Sequence, residues 1–254
     1  MKLEVLISCM NQIDSRIIEK TNINSDTLII NQCNENRYNE FNFKNNKIRF
    51  ISCNERGLSR SRNMALTHSK GDVCLICDDD EILYDNYNTD IIQSFINLPD
   101  ADIIAFKIDL LNKKYPTKTK KINYLSALKI SSIQIAFKRK SITEKKIFFD
   151  ESLGSGVSKA GGEENMFLYD CLKAGLKIYF IPISIGKMIF NESQWFNGYT
   201  KEYFYDRGIF TKKLMGKFMA SLYAIYFLIF KHSLYHKDIS TNRALISIFK
   251  GIYE

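Results

Sequence analysis

Residues 73–81 read Val-Cys-Leu-Ile-Cys-Asp-Asp-Asp-Glu, an apolar run that passes directly into four consecutive acids. A run this short, with apolar residues at successive positions, is a strand buried on both faces, as in the middle of a parallel sheet. In α/β sheets the carboxyl ends of such strands open onto the ligand crevice, so these acids meet a ligand and not bulk water alone. A divalent cation relieves their mutual repulsion, and hard carboxylate oxygens select Mg²⁺ or Mn²⁺ shared with phosphates. An Asp-rich helix cap without a metal has the same local sequence.

The rest of the first half alternates in the same manner. Strands are predicted at Leu3 to Cys9, Thr27 to Asn31, Lys47 to Ser52 and Asp72 to Cys77, and helices at Leu58 to Ser69, before Gly71, and at Asn86 to Asn97, before Pro99. Further strands are predicted at Asp102 to Ile108 and Ile133 to Lys138. A helix at Glu163 to Ala174 follows, then a strand at Lys177 to Ile181 stopped by Pro182. The fold class is α/β, with a mainly parallel sheet flanked by helices and a helical C-terminal appendage. The expected division is 1–190 for the catalytic-type domain and 191–254 for the extension, in which Tyr199 to Lys231 forms one or two helices.

Composition closes off other classes. Three prolines and 12 glycines in 254 residues exclude collagen-like and linker-dominated chains. The apolar stretch Phe218 to Phe230 covers 13 residues, short of the ~20 that span a bilayer. The start Met-Lys-Leu-Glu lacks a secretory pattern, which predicts a cytoplasmic protein with its six cysteines reduced. Cys74 and Cys77 share one strand with no second ligand pair nearby, which argues against zinc. The net charge of +8 is segregated: Leu75 to Ile104 holds eight acids and no Lys or Arg, whereas Lys107 to Lys146 holds twelve Lys/Arg and two acids. An acidic block beside a basic one argues against a nucleic-acid partner.

Two further constellations carry chemistry. Asn54 to Asn63 is a loop entering a helix with Arg56, Arg60 and Arg62, suited to phosphate or to pairing with the acidic block. No P-loop or G-x-G-x-x-G accompanies it, which argues against a nucleotide triphosphatase or a dinucleotide dehydrogenase. Gly161-Gly162-Glu163-Glu164-Asn165 opens a helix with two acids, after a loop that also holds Gly154 and Gly156. Acids there favour the helix dipole, and equally supply a positioned general base.

In this order the segments Asn54-x-x-Gly57-x-Ser59-x-x-Arg62-Asn63, Gly71-Asp72, Asp78-Asp79-Asp80 and Gly162-Glu163-Glu164 resemble the family 2 glycosyltransferases of GT-A fold, over about Leu3 to Pro182. The resemblance implies an inverting transfer of a sugar from a nucleotide-diphosphate sugar donor to a saccharide or lipid-linked saccharide acceptor, as in bacterial surface polysaccharide synthesis. It implies Mg²⁺ or Mn²⁺ on the diphosphate, with Asp80 as metal ligand and Asp78 at the donor ribose or metal shell. Asp79, Gly57, Arg62 and Asn63 join the donor site, and the ends of the first two strands, Cys9, Met10, Asn11, Asn31 and Gln32, hold the nucleoside. Glu164 matches the catalytic base, and Glu163 is the second candidate, because the family more often has Asp after Glu. Its usual acid at the second strand is replaced here by the amides Asn31 and Gln32, which leaves the nucleotide open. A non-catalytic nucleotide-sugar-binding module and a sugar nucleotidyltransferase are the competing classes. Retention of Asp78, Asp80 and Glu164 speaks against the first, and the absence of glycine from Ser8 to Ser15 against the second.

The C-terminal region 201–254 carries nine Lys/Arg and four acids. Lys212, Lys213 and Lys217 just before Phe218 to Phe230 fit a helix on an anionic membrane surface, a core helix pair or a homodimer contact.

Overall fold

The computed structural model describes residues 1–110, 113–155, 161–189 and 198–254. It forms two compact units, the first of Met1–Val157 and Glu163–Asn191, the second of Ser158–Gly162 and Glu192–Glu254. The boundary expected at residue 190 falls within 190–197, outside the described residues.

The first unit is built on a sheet with strands β1 (Leu3–Met10), β2 (Asp26–Gln32), β3 (Arg37–Phe43), β4 (Asn46–Cys53), β5 (Val73–Asp78), β6 (Glu81–Leu83), β7 (Ile103–Asp109), β8 (Lys120–Lys121), β9 (Ile135–Lys138) and β10 (Ile178–Met188). Their order is β3-β4-β2-β1-β5-β9-β7-β10-β6, with β8 paired to β10. Six strands, β1, β2, β4, β5, β7 and β10, share one direction, and the other four oppose them. Flanking helices are α1 (Ile17–Lys20), α2 (Leu58–His68), α3 (Tyr87–Asn97), α4 (Tyr124–Ala127), α5 (Arg139–Lys145) and α6 (Glu163–Lys173). The predicted mixed, mainly parallel sheet is therefore present.

The central strands β1 and β5 lie side by side from Leu3↔Val73 to Ser8↔Asp78, and their apolar residues are almost wholly buried. From β1 the chain steps outward to β2 and β4, then returns to β5 on the other side of β1. That reversal makes the carboxyl ends of β1 and β5 a topological switch point, where open α/β sheets bind ligands. The opposite end is braced by a buried ion pair: Glu4, 3% exposed, pairs with Arg49, 5% exposed, and also accepts the Gly71 amide at 2.9 Å.

Two expectations change. The strand expected to stop at Pro182 continues to Met188, because the pairing of β10 with β7 shifts register between Phe180 and Ser184; the proline, which has no N–H to donate, falls in that irregularity. Strand β3 went unpredicted. Its residues are largely exposed and polar, and it exists through a two-residue hairpin connection to β4 at the sheet edge.

The second unit contains α7 (Lys201–Phe230), α8 (His232–Tyr235) and α9 (Thr241–Tyr253). Helix α7 is broken at Gly216, whose φ of 77° and ψ of 163° lie outside the helical region. Phe204, Ala224, Phe227, Tyr235, Ala244 and Ile248 belong to its core. Helices α7 and α9 approach closely at two glycines: a Cβ on Gly208 would stand 2.2 Å from the Ile248 carbonyl oxygen, and one on Gly251 would stand 2.1 Å from that of Tyr205. Gly251→Ala gains about 1 kcal/mol in helix propensity but meets backbone, where overpacking costs about 1–3 kcal/mol. A lower denaturant midpoint for the second unit is expected, and an unchanged midpoint would mean the helices do not cross here.

Candidate active site

The site is assembled at the switch point by the start of α2, the end of β5 and the start of α6. Helix α2 is preceded by Gly57, whose φ of 115° suits glycine and whose carbonyl accepts Gln32 Nε2 at 3.0 Å. The Leu58 amide donates to Ser155 O at 3.0 Å and Ser59 Oγ to Leu153 O at 2.8 Å. Asn63 clamps Phe149 from both sides of its amide, Nδ2 to the carbonyl at 2.9 Å and Oδ1 to the N–H at 2.7 Å. The helix start is thereby stitched to the segment before α6.

Arg62, 3% exposed, points into the centre of this frame. Its Nη2 donates to both Asp78 oxygens at 3.1 and 3.2 Å and to Ser132 Oγ at 2.9 Å, and its Nη1 donates to Glu163 Oε1 at 2.8 Å. The guanidinium lies over the Phe149 ring at 5.6 Å. Burial works against its charge, but Asp78, Glu163 and Glu164 more than offset this and raise its pKa further. The other loop arginines are also engaged by protein: Arg56 by Cys33 O and Asn34 Oδ1, Arg60 by Glu151. Of the two partners open to these arginines in the sequence, phosphate or acid, Arg62 and Arg60 take acids in this structure.

The four acids that begin at the last residue of β5 have separate fates. Glu81 opens β6, is fully buried, and accepts the Asp78 amide on Oε1 at 3.0 Å; burial pushes its carboxyl pKa well above the ordinary range. Asp78 is tied to Arg62. Asp79 and Asp80 are half-buried, and both are raised, first by burial and with repulsion from Asp78, which for Asp80 is joined by repulsion from Asp79. Lys20 opposes the shift at Asp79 and donates to its carbonyl at 2.8 Å. Among the described residues no three His, Cys, Asp or Glu side chains gather into a metal cage. One or two carboxylates in an under-compensated negative field instead fit an ion that takes its remaining oxygens from a diphosphate and water.

The acidic pair at α6 divides in the same way. Glu163 is buried and bound to Arg62. Glu164 is pushed up to about 7, first by burial and then by the charge of Glu163, against the opposing pull of a backbone hydrogen bond and of Arg62. Of the glycines expected before this helix, Gly154 and Gly162 hold positive φ, at 95° and 105°, and Gly156 lies outside the described residues.

The nucleoside-side candidates are placed as follows. Asn31, 1% exposed, holds the backbone of Gln12, accepting its N–H at 2.8 Å and donating to its carbonyl at 2.9 Å. Cys9 is buried in the sheet core, with its thiol toward Ile30 O at 3.6 Å. Asn11 is exposed, with φ of 53°. The Asn31 amide thus shapes the loop after β1 through its backbone, whereas the Gln32 amide holds the Gly57 carbonyl at the start of α2.

Lys113 was not singled out in the sequence. It donates to Gln134 Oε1 at 2.8 Å and Ser131 Oγ at 3.1 Å and lies over Tyr115 at 5.2 Å. Burial lowers its pKa to about 8, with the Glu164 charge opposing. The basic block made it look like one surface charge among twelve; nothing local marks it as buried within reach of the Glu164 charge.

Residues 16–160 match Glycosyl transferase family 2. The chain belongs to that family. No protein of curated function matches the sequence. Among solved structures it is similar to S. aureus TarS: residues 1–349 with UDP-GlcNAc (TM-score 0.60, 15% identity, 94% of this chain and 74% of that one) and with UDP (TM-score 0.61, 14% identity, 100% and 81%). Against a longer chain of S. aureus TarS the TM-score is 0.56 at 14% identity, over 98% of this chain and 43% of that one. At such identities the likeness is one of fold, the GT-A architecture.

The Arg62 network makes a direct prediction for this glycosyltransferase-family chain. Arg62→Met leaves Asp78 and Glu163 without their cation, and stability should fall by about 3–5 kcal/mol, the usual result of breaking a buried pair from one side. Chemical denaturation measures it; a loss under 1 kcal/mol, order-of-magnitude, would reduce the network to a surface contact.

Proposed function

We propose that the protein is an inverting glycosyltransferase that moves a sugar from a nucleotide-diphosphate sugar to an acceptor hydroxyl, with Glu164 as the general base. The observation that carries this reading is the asymmetry of the acidic pair. Glu163 is held by Arg62, while its neighbour Glu164 has a pKa of about 7, where a general base works best near neutral pH. Glu164 takes the proton of the acceptor hydroxyl as that oxygen bonds to the anomeric carbon. The bond from that carbon to the diphosphate oxygen breaks on the opposite face, so the nucleoside diphosphate leaves and the configuration inverts, without a covalent enzyme intermediate.

Asp80 is the ligand proposed for Mg²⁺ or Mn²⁺, with Asp78 and Asp79 beside it. Such an ion, when bound, neutralises charge developing on the departing diphosphate. Arg62 holds Asp78 and Glu163 in place, Gly57 and Asn63 fix the helix that carries it, and Asn31 and Gln32 shape the nucleoside end. Because TarS is seen with UDP-GlcNAc and UDP, a uridine-diphosphate sugar is the first donor class to test. A saccharide or lipid-linked saccharide of cell-surface polysaccharide synthesis, reached from the cytoplasm, is the proposed acceptor class.

Glu164→Gln keeps the volume of the side chain and removes its basicity. Donor binding should stay near normal while single-turnover transfer falls roughly 10²–10⁴-fold. The wild-type rate should also rise with pH through about 7, because the base acts deprotonated and its pKa is raised, and that limb should vanish in the variant. Full activity of Glu164→Gln would remove this residue from the chemistry.

Asp80→Asn should fold normally yet lose the additional thermal stabilisation that Mn²⁺ confers on a UDP complex. Thermal unfolding with UDP, with and without Mn²⁺, reads this directly, and a Mn²⁺-dependent stabilisation equal to that of the wild type would exclude Asp80 as a ligand.

A further inference from the structure

We propose that the second unit docks on an anionic lipid bilayer through the exposed apolar face of the Lys217 to Phe230 arm of α7. Phe218, Leu222, Ile225 and Ile229 are 75%, 47%, 45% and 63% exposed, and their i, i+4, i+7, i+11 spacing aligns them along one side of the helix. The other side of the same arm, Ala220, Ala224, Phe227 and Leu228, packs into the unit's core. The arm is therefore apolar all round while protein covers only part of it, which is unusual for a helix facing water.

Charge selects the occupant. From Arg207 to Lys237 there are six Lys/Arg and no acid, and Lys217 and Lys231 bracket the apolar stripe. A second copy would bring lysines against lysines, with no acid in this segment to pair them. An acidic protein could pair with the lysines but would find few hydrogen-bonding groups along the stripe between them. The polar side chains between the two lysines are Ser221, bonded to Lys217 O and near the Tyr253 hydroxyl, Tyr223, which meets Arg207, and Tyr226. Protein interfaces need regular hydrogen bonding, whereas hydrocarbon needs none and anionic headgroups match the lysines.

Geometry selects the mode. Taken whole, α7 is long and apolar enough to cross a membrane. The break at Gly216 leaves arms of 15 and 14 residues. Each is about 22 Å long, short of the ~30 Å hydrocarbon core, so the arm lies along the interface.

The test is co-sedimentation of the full chain with vesicles of phosphatidylcholine alone or mixed with phosphatidylglycerol, at low and high salt. Binding to the mixed vesicles only, weakened by salt, is expected. Phe218→Ser with Ile225→Ser, both exposed positions, should abolish binding with an unchanged circular dichroism spectrum. Lys217→Gln with Lys231→Gln should weaken it roughly 25-fold, at about fivefold per lysine. Equal or absent binding to both vesicle types, or binding indifferent to the serine variant, overturns the proposal. Concentration-dependent dimerisation abolished by the serine pair would give the face to a second copy. Resistance of the cellular protein to alkaline extraction would make α7 a span.

Discussion

A single buried guanidinium holds the candidate site together. Arg62 reaches Asp78 at the end of β5, Ser132 before β9 and Glu163 at the start of α6, partners 16, 70 and 101 residues away in sequence. A buried cation is tolerated when its hydrogen-bonding groups are matched by acids, and here one cation faces two bound carboxylates with Glu164 close enough to feel it. The balance is negative, so the field at the mouth of the sheet favours a cation. Without Arg62 the ends of β5 and α6 would bring two carboxylates together with no cation between them.

The same field gives chemically identical residues different tasks. Glu163 and Glu164 are adjacent, yet one is an ion-pair partner and the other has a pKa lifted to about 7. Along Asp78 to Glu81, one acid pairs with Arg62, two remain half-buried and raised, and Glu81 is sealed beneath the loop where it braces the Asp78 amide. Burial decides how costly each charge is, and the nearest partner decides whether that cost is relieved. Lys113 obeys the same rule with opposite sign: burial lowers it and Glu164 holds it up.

The second unit solves a different problem. Arg207 lies among the rings of Tyr203, Tyr223 and Phe227, at 5.8, 5.3 and 4.8 Å from its guanidinium carbon, so aromatic faces meet its charge. Glycines at the crossing of α7 and α9 bring the two backbones close, and alanines on the inner face of the Lys217 arm leave room for large side chains to pack. Its large apolar residues are divided between that core and the exposed stripe, which sets this unit apart from an ordinary helical cap.

Local pattern alone determined much of this protein. Short apolar runs marked β1, β2, β4, β5 and β7 to within a residue or so at their ends. Gly71 and Pro99 marked the limits of α2 and α3, and the run of acids after β5 marked the end of the sheet that matters. These features depend on neighbours within one turn or one strand, so they can be read in order along the chain. The hairpin strand β3, the passage of β10 through Pro182, the engagement of Arg62 by carboxylates and the proximity of Lys113 to Glu164 could not be read so. Each depends on which distant segments share a sheet edge or a buried space, and only the tertiary structure decides those neighbours and hence which charge is paired, which is raised and which stays open to a ligand.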